Sequence, residues 1–207
     1  MPRQFPKFLM AVIIVAAVVC VPRSPDAGEA AVEAKAFIEE LADRAVRSLA
    51  APNINKVERR KRFRELMLET FAFNRIAAWV LGRYWRRASD TEKQEYLALF
   101  EDMLVTIYAD RFAKYSGEAL KVGRSEVRSQ TDILVHSKIV RQNGLKPVDV
   151  AWRVSPKDGN YKIVDVMVEG LSMGLTQQRE FSSVIRKNGR GIQGLLDELK
   201  KRLAANS

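Results

Sequence analysis

The sequence predicts an α+β fold: an antiparallel sheet of about four strands, with helices packed on one face, enclosing an apolar pocket. Apolar residues recur with helical spacing over residues 30–115 and alternate with a period of two over residues 120–168. Helical spacing then returns from residue 176. No internal repeat or long linker interrupts this order. Residues 31–207 are therefore predicted to form a single α+β domain.

Residues 1–30 are predicted to be a cleaved signal peptide. A basic start is followed by an apolar run over residues 8–21, which is shorter than the roughly 20 residues that a membrane-spanning helix needs. A small-x-small cleavage site ends at Ala30. The only cysteine, Cys20, lies within this segment, so the mature chain is expected to have no disulfide. The alternative is an uncleaved anchor, with Cys20 as a lipid attachment site, although Val19 is bulkier than the small residue that such a site needs. Either way, the sequence predicts an exported protein.

Two amphipathic helices are predicted at residues 30–50 and 54–70. The second carries a basic run, Arg59-Arg60-Lys61-Arg62, on its exposed side. Because the net charge is +10, this run offers a surface for phosphate groups or for an acidic partner. A solvated helix face gives the same pattern. Nucleic acid is not an expected partner of an exported protein.

A short apolar helix is predicted to end at Gly82, and a long helix follows from Ser89 to Tyr115. Ser89 and Glu92 have the spacing of a capping box, in which each residue satisfies the other's backbone amide. The long helix carries a broad, aromatic-rich stripe. A stripe of this width is expected to be covered by the sheet or by a cavity.

The strands are predicted between residues 120 and 168, with turns at Asn143-Gly144 and over residues 156–160. In the last strand, alternation predicts that Val164, Val166 and Val168 share one side and that Ile163, Asp165 and Met167 share the other.

Two helices are predicted to close the chain. Thr176 is expected to cap the first, over residues 177–187, because a hydroxyl there can accept an unpaired backbone amide. The segment 189–191 is expected to break this helix, since it has a glycine at each end. Apolar residues at helical spacing from Ile192 indicate the closing helix.

The sequence predicts no enzyme active site, metal site or cofactor. His136 is the only histidine, and no set of cysteines or carboxylates accompanies it at metal-ligand spacing. One alternative is an α+β cone enzyme that uses His136 with Asp149 or Asp165 as an acid–base pair. A second alternative is a module that binds a partner other than lipid.

An apolar pocket is predicted between the long helix and the sheet. The sheet valines are short, so they leave room for a hydrophobic chain opposite the aromatic stripe. A close-packed core fits the same pattern. The ten predicted lipid-binding residues are Leu104, Tyr108 and Phe112 on the helix, Val135, Val150, Trp152, Val164 and Val166 on the sheet, and Met173 and Phe181 at the rim.

Three blocks of sequence resemble the MlaC/Ttg2D family of periplasmic lipid-binding proteins. The blocks are Ala77-x-x-Val80-Leu81-Gly82-x-x-Trp85, then Tyr108-x-x-x-Phe112-x-x-Tyr115-Ser116-Gly117, and then Tyr161 to Phe181 with Asp165, Glu169-Gly170, Ser172 and Arg179. The chain departs from the family pattern at Asn74, where an acidic residue is more usual, and at Thr176-Gln177-Gln178, where Asn-Tyr commonly precedes the arginine.

The resemblance implies a periplasmic shuttle that holds phospholipid acyl chains in a pocket between sheet and helices. Its implied partners are an outer-membrane lipoprotein complex and an inner-membrane ABC transporter complex, between which lipid passes to maintain outer-membrane asymmetry. Similarity to a hopanoid-associated branch adds a polycyclic lipid as an alternative cargo. The protein is expected to act as a monomer.

Overall fold

The computed structural model describes residues 27–142, 144–157 and 160–206 of the chain. The predicted signal peptide lies almost wholly outside these ranges, and the first helix begins at Ala27. The helices are α1 (Ala27–Leu49), α2 (Lys56–Thr70), α3 (Phe73–Leu81), α4 (Asp90–Phe112), α5 (Met173–Asn188) and α6 (Gly191–Ala204), with a 3₁₀ turn at Gly82–Tyr84. The strands are β1 (Ala119–Ser129), β2 (Asp132–Val140), β3 (Val148–Lys157), β4 (Asn160–Val168) and β5 (Leu171–Ser172).

The strands form one sheet in the order β1-β2-β3-β4-β5, and each neighbouring pair is antiparallel. The predicted α+β class and antiparallel sheet are confirmed. The fifth strand is only two residues long and pairs with the end of β4. None of the helices in the described ranges is both long enough and apolar enough to cross a membrane.

The alternation predicted for β4 is wrong in the first half of the strand. Trp152 pairs with Val166, whereas Val154 pairs with Ile163, so β4 carries one extra residue, Val164. This β-bulge shifts the side-chain alternation by one position. It brings Ile163 onto the same face as Val166, where the regular pattern would have separated them.

The helix that covers the sheet is α1, and this corrects the expectation that the long helix α4 would do so. Small residues on α1 allow its backbone to approach the strands closely. We call the resulting core the sheet cluster. It contains Ala30, Ala34, Ile38 and Leu41 of α1 with Ile133, Val135, Val154 and Ile163 of the sheet.

The aromatic stripe of α4 packs against other helices instead. Its bulky rings fill a second core, the helical cluster, which α2, α3, α5 and α6 also line. The rings of Tyr96 and Phe100 stack 5.6 Å apart, and each contacts Phe181 of α5 edge-on. Edge-on and offset aromatic pairs add about 0.5–1.5 kcal/mol beyond the area that they bury.

Several local predictions are confirmed by the helix ends. Ser89 and Glu92 form the capping box of α4, with hydrogen bonds in both directions. Gly82 ends α3 with a φ of 59°, which favours glycine. Gly189 ends α5 in the left-handed conformation.

Two local predictions are wrong. Ser172, not Thr176, caps α5: its Oγ accepts from the backbone amide of Leu175 at 3.0 Å. Thr176 lies inside the helix, where its hydroxyl donates to the Ser172 carbonyl. Pro156, expected in a turn, lies in β3 opposite Tyr161.

Candidate functional site

Phe71 lies where the helical cluster and the sheet cluster meet, and its ring packs against both. The segment around it runs beside β4, since Phe71 forms a parallel bridge with Ile163 and the Ala72 amide donates to the Ile163 carbonyl at 2.9 Å. We call the boundary at Phe71 the seam. The seam separates the helical cluster, against which Leu104 of the predicted helix wall packs, from the sheet cluster, which contains Val135 of the predicted sheet wall.

The three predicted site residues on α4 lie on the helical side of the seam. Leu104 is half-buried against the helical cluster. The rings of Tyr108 and Phe112 each lie 6.4 Å from the ring of Phe63 on α2, measured between ring centres. Because Tyr108 and Phe112 are only half-buried, this wall remains partly open to solvent.

Four of the five predicted sheet residues share the face that α1 covers. Register places Val135 beside Trp152, and Trp152 beside Val166. Val135 is fully buried, whereas Trp152 and Val166 are half-buried against the sheet cluster. Val150 lies two residues before Trp152 and is buried on the same face. The fifth residue, Val164, is buried at the bulge.

A buried polar residue, Ser137, lies within this apolar face and was not among the predicted site residues. Its Oγ accepts from Trp152 Nε1 at 3.0 Å and donates to the Val150 carbonyl at 2.9 Å. The bond to Ser137 orients the indole ring on the sheet. Alternation in β2 already places Ser137 on the same face as Val135, and that is the signal that could have found it.

The two predicted rim residues occupy different environments. Met173 is half-buried at the first position of α5. Phe181, expected at an exposed rim, lies instead inside the helical cluster with only 1% of its surface exposed. Its position two turns into α5 directs it towards the rings of α4.

Two open grooves in the described part of the chain have linings that mix charged and apolar residues. The larger, of about 420 Å³, is lined by Arg60, Lys61, Arg64 and Asp102 together with the apolar Val57, Val105 and Leu203. The smaller, of about 370 Å³, is lined mainly by Arg44, Arg47, Arg62, Glu65 and Glu69. Neither groove lies between α4 and the sheet. The charged side chains in both linings do not suit an acyl chain, which needs an apolar lining.

The arginines of the basic run on α2 are engaged in contacts within the chain. Each one binds a carbonyl or a carboxylate on another element or on its own helix. The partners are the Leu49 and Ile54 carbonyls for Arg59, Asp110 for Arg60, and Glu58 for Arg62. The three arginines are therefore held by contacts within the chain, whereas Lys61 is exposed.

His136 pairs with a glutamate that the enzyme hypothesis did not include. Its Nε2 lies 3.1 Å from Oε1 of Glu126 on the neighbouring strand β1. The same oxygen accepts from Arg124 at 2.8 Å, and this hydrogen bond is the main cause that lowers the pKa of Glu126. A carboxylate held in its charged form by an arginine is poorly suited to proton transfer near neutral pH.

The two carboxylates proposed for acid–base work have other partners. Asp149 forms an ion pair with Lys138 at 3.0 Å. Asp165 is buried and accepts from the Gly174 backbone amide at 3.2 Å, which ties the sheet to the start of α5. Among the described residues, no group of three histidine, cysteine or acidic side chains is placed to hold a metal ion.

Comparison with known families gives a match over most of the chain. A profile of the family described as "MlaC protein" matches residues 39–201. The chain belongs to the MlaC family. The predicted membership is thus confirmed, and the match spans the described elements from within α1 to α6.

Two curated relatives align with part of this MlaC-family chain. It is 24% identical over 113 residues to the "intermembrane phospholipid transport system binding protein MlaC" of Haemophilus influenzae, covering 53% of each chain. It is 21% identical over 115 residues to the "toluene tolerance protein ttg2D" of Pseudomonas putida, covering 56% of this chain and 53% of the relative. The chain thus spans about half the length of the curated relatives it matches.

The fold is shared with a solved structure. A phospholipid-binding protein from Ralstonia solanacearum, solved in complex with a phospholipid, superposes with a TM-score of 0.74 at 23% identity. The match covers 83% of this chain and 97% of the other. At this identity, the likeness supports the fold of the MlaC-family chain.

Proposed function

We propose that this protein binds a phospholipid and carries it between membranes, as a transport protein of the MlaC type. The observation that carries the proposal is the family match over residues 39–201. A relative in Haemophilus influenzae is named for phospholipid transport and the Ralstonia protein for phospholipid binding, which supports the same role. No covalent step is needed for such a role.

The physical requirement for a carrier is protection of the acyl chains. Exposing apolar chain to water costs about 0.8 kcal/mol for each CH₂ group. A lipid therefore does not cross an aqueous gap unaided at a useful rate. A protein that covers the chains with apolar side chains removes most of this cost and leaves the head group in water.

The proposed acyl-chain site is the seam, with Phe71 at its centre. One wall consists of Leu104, Tyr108 and Phe112, and the other of Val135, Val150, Trp152, Val164 and Val166. The half-burial of Trp152 and Val166 supports entry at that part of the sheet face, because α1 packs against the remainder. Met173 borders the entrance, and Phe181 lies deeper in the helical cluster, against Tyr96 and Phe100 of α4.

The proposed compartment is the periplasm, with residues 1 to about 30 acting as a cleaved signal peptide that ends near the start of α1, before the sheet-cluster residue Ala34. The proposed partners are an outer-membrane lipoprotein complex and an inner-membrane ABC transporter complex, between which the protein moves as a monomer. A polycyclic lipid of the hopanoid type is an alternative cargo, since an apolar seam accepts either kind of hydrocarbon.

Lipid analysis of the native protein tests the proposal. Protein recovered from the periplasm of its own organism is purified without detergent, extracted with organic solvent and analysed by mass spectrometry. We expect close to one phospholipid for each protein molecule. A polycyclic lipid in its place would identify the alternative cargo. Protein that folds normally but yields no lipid above the level of an unrelated periplasmic protein would contradict the proposal.

A further inference from the structure

Three large apolar side chains are exposed together where α3 meets the start of α5. Trp79 of α3, Leu171 of β5 and Leu175 of α5 expose 38%, 65% and 36% of their surfaces. Single exposed apolar residues are common on soluble proteins and need no explanation, but a group of them on one face indicates contact with another molecule.

The contact between α3 and α5 holds this group in place. The Trp79 ring lies on Gly174, where an added Cβ would approach ring carbon Cζ3 to 2.0 Å. Gln178 Nε2 also donates to the Trp79 carbonyl at 2.6 Å. The indole is therefore fixed on the surface of the helix pair, beside Leu175, and is not free to fold into the core.

Arginines surround the three apolar residues. Arg75 precedes Trp79 by four residues on α3, and Arg179 follows Leu175 by four on α5, so each lies on the same side of its helix as the apolar residue. Arg83 follows at the end of α3, its guanidinium 5.0 Å from the Tyr84 ring centre. We call this surface the α3–α5 face.

Few acidic groups neutralise this charge. Residues 73–87 contain four arginines and no acidic residue. On α5 the one acidic residue is Glu180, which binds Arg202 of α6. Glu169, two residues before Leu171, accepts a hydrogen bond from the Asp149 amide at 2.8 Å. Within the described ranges, Arg75 and Arg179 form no ion pair, whereas the arginines of α2 bind partners inside the chain. The α3–α5 face therefore carries charge that an external anion can use.

We propose that the α3–α5 face docks on the surface of an anionic phospholipid bilayer. The inference rests on the proposed transport function, because the face begins beside Met173 at the proposed entrance to the seam. Tryptophan and leucine partition into the head-group region, and each nearby arginine adds about 1 kcal/mol of attraction to an anionic membrane. Docking there would bring the entrance next to the lipid source or acceptor.

A bilayer fits the face better than a folded acidic protein does. Arg75 and Arg179 are exposed and form no ion pair within the described ranges, so neither guanidinium is held by a carboxylate. Lipid phosphates move laterally and can adjust to scattered cations, and a bilayer interface accepts the indole ring beside them. A folded acidic partner would have to present carboxylates at matching positions around its own apolar patch.

Vesicle flotation with the full mature chain tests this inference. The probes are vesicles of phosphatidylcholine alone and of phosphatidylcholine mixed with phosphatidylglycerol, at low and high salt. One variant is Leu171→Glu with Leu175→Glu, and the other is Arg75→Glu with Arg179→Glu. The matched controls are Val32→Glu with Val57→Glu for the apolar change and Lys56→Glu with Lys61→Glu for the charge change, all at exposed positions.

The wild-type protein is expected to float with the anionic vesicles at low salt and to bind them more weakly at high salt. Binding should weaken by about five-fold for each arginine removed. Both test variants should bind more weakly than their matched controls. For the charge change, the test variant and its control have the same net charge, so a difference in binding reflects the position of the charges. All four should keep the wild-type thermal midpoint.

The inference would be overturned if wild-type protein ignored anionic vesicles, or if each test variant bound as its matched control does. A photo-crosslinker at Leu175 that captured a protein, with no vesicle binding, would overturn it in favour of a protein partner. Lipid content of the same samples separates the two proposals. Protein that contains lipid but does not bind vesicles would contradict the docking proposal and not the transport function. Protein that binds vesicles but contains no lipid would contradict the transport function and not the docking proposal.

Discussion

Arg59 of α2 binds the C-terminal end of α1, where its Nε donates to the Leu49 carbonyl at 2.9 Å. The same guanidinium donates to the Ile54 carbonyl at 3.1 Å. The last carbonyls of a helix have no partner within it, so a cation at this position satisfies them and complements the helix dipole. The contact ties the helix that covers the sheet to the first helix of the helical cluster.

Replacing Arg59 by alanine is expected to lower the free energy of unfolding by about 1.5–3 kcal/mol, the usual range for hydrogen bonds that involve a charged group. Lys61 provides the control, because it is exposed on the same helix and Lys61→Ala should leave stability nearly unchanged. Urea denaturation followed by circular dichroism measures both. Equal stability of the two variants would show that Arg59 is only a solvated surface charge.

The capping box of α4 makes a second prediction. Ser89→Ala removes the hydroxyl that accepts the Glu92 amide at 3.2 Å, and we expect a loss of about 1 kcal/mol. Thr91→Ala, two residues further along in the same exposed turn, is the matched control. If the midpoints of urea denaturation agree for the two variants, the cap contributes nothing measurable.

The ends of helices α3, α4 and α5 show which features the sequence could reveal. A capping box or a glycine terminator is set by residues a few positions apart, so Ser89 and Gly82 could be assigned from spacing alone. The cap of α5 was assigned to Thr176 because its hydroxyl precedes a helical pattern. The cap is Ser172 because it is the last residue of β5, and the pairing of β5 with β4 is not a local signal.

Contacts between distant segments were harder to predict. The bulge at Val164 depends on the register between β3 and β4, which the alternation of one strand does not contain. The choice of covering helix depends on shape: α1 offers Ala30 and Ala34 at the sheet, whereas the rings of α4 require a roomier helical core. Family resemblance could name the fold class, but it could not supply this packing.

Because Trp79 contacts Gly174, we expect the effects of substitutions at these two positions on stability to be strongly coupled. Gly174→Ala places a methyl group in the space of the indole ring, and overpacking of this kind typically costs about 1–3 kcal/mol. Trp79→Ala clears that space, so adding Gly174→Ala to it should cost far less. A double-mutant cycle of unfolding free energies measures the coupling. Additive effects would mean that the ring moves aside freely.

We expect deprotonation of Tyr161 to lower the stability of the protein at alkaline pH. Its hydroxyl donates to Glu33 of α1 at 2.7 Å, and burial, followed by this glutamate, raises the pKa of Tyr161 to about 12. An unfolded tyrosine titrates near pH 10. The folded state therefore favours the protonated phenol. The contribution of this phenol to the free energy of unfolding is complete below about pH 10 and is lost between about pH 10 and pH 12.

Comparison of the wild-type protein with Tyr161→Phe isolates this contribution from other groups that titrate in the same range. The wild-type free energy of unfolding should fall more steeply between about pH 10 and pH 12 than that of the variant. Urea denaturation at a series of pH values gives both slopes. Parallel curves would indicate that the phenol has the same pKa in the folded and unfolded states.

The last prediction concerns the seam. Val166→Trp adds a large side chain to the half-buried part of the sheet face, where we propose that acyl chains enter. If lipid occupies this space, the variant should lose bound lipid while the thermal midpoint of the lipid-free protein changes little. Val154→Trp is the matched control, because Val154 is fully buried beneath α1 and overpacking there should lower stability strongly. Lipid extraction followed by mass spectrometry, together with thermal denaturation, distinguishes the two positions. A folded Val166→Trp protein that retained its full complement of lipid would place the acyl chains away from this part of the sheet.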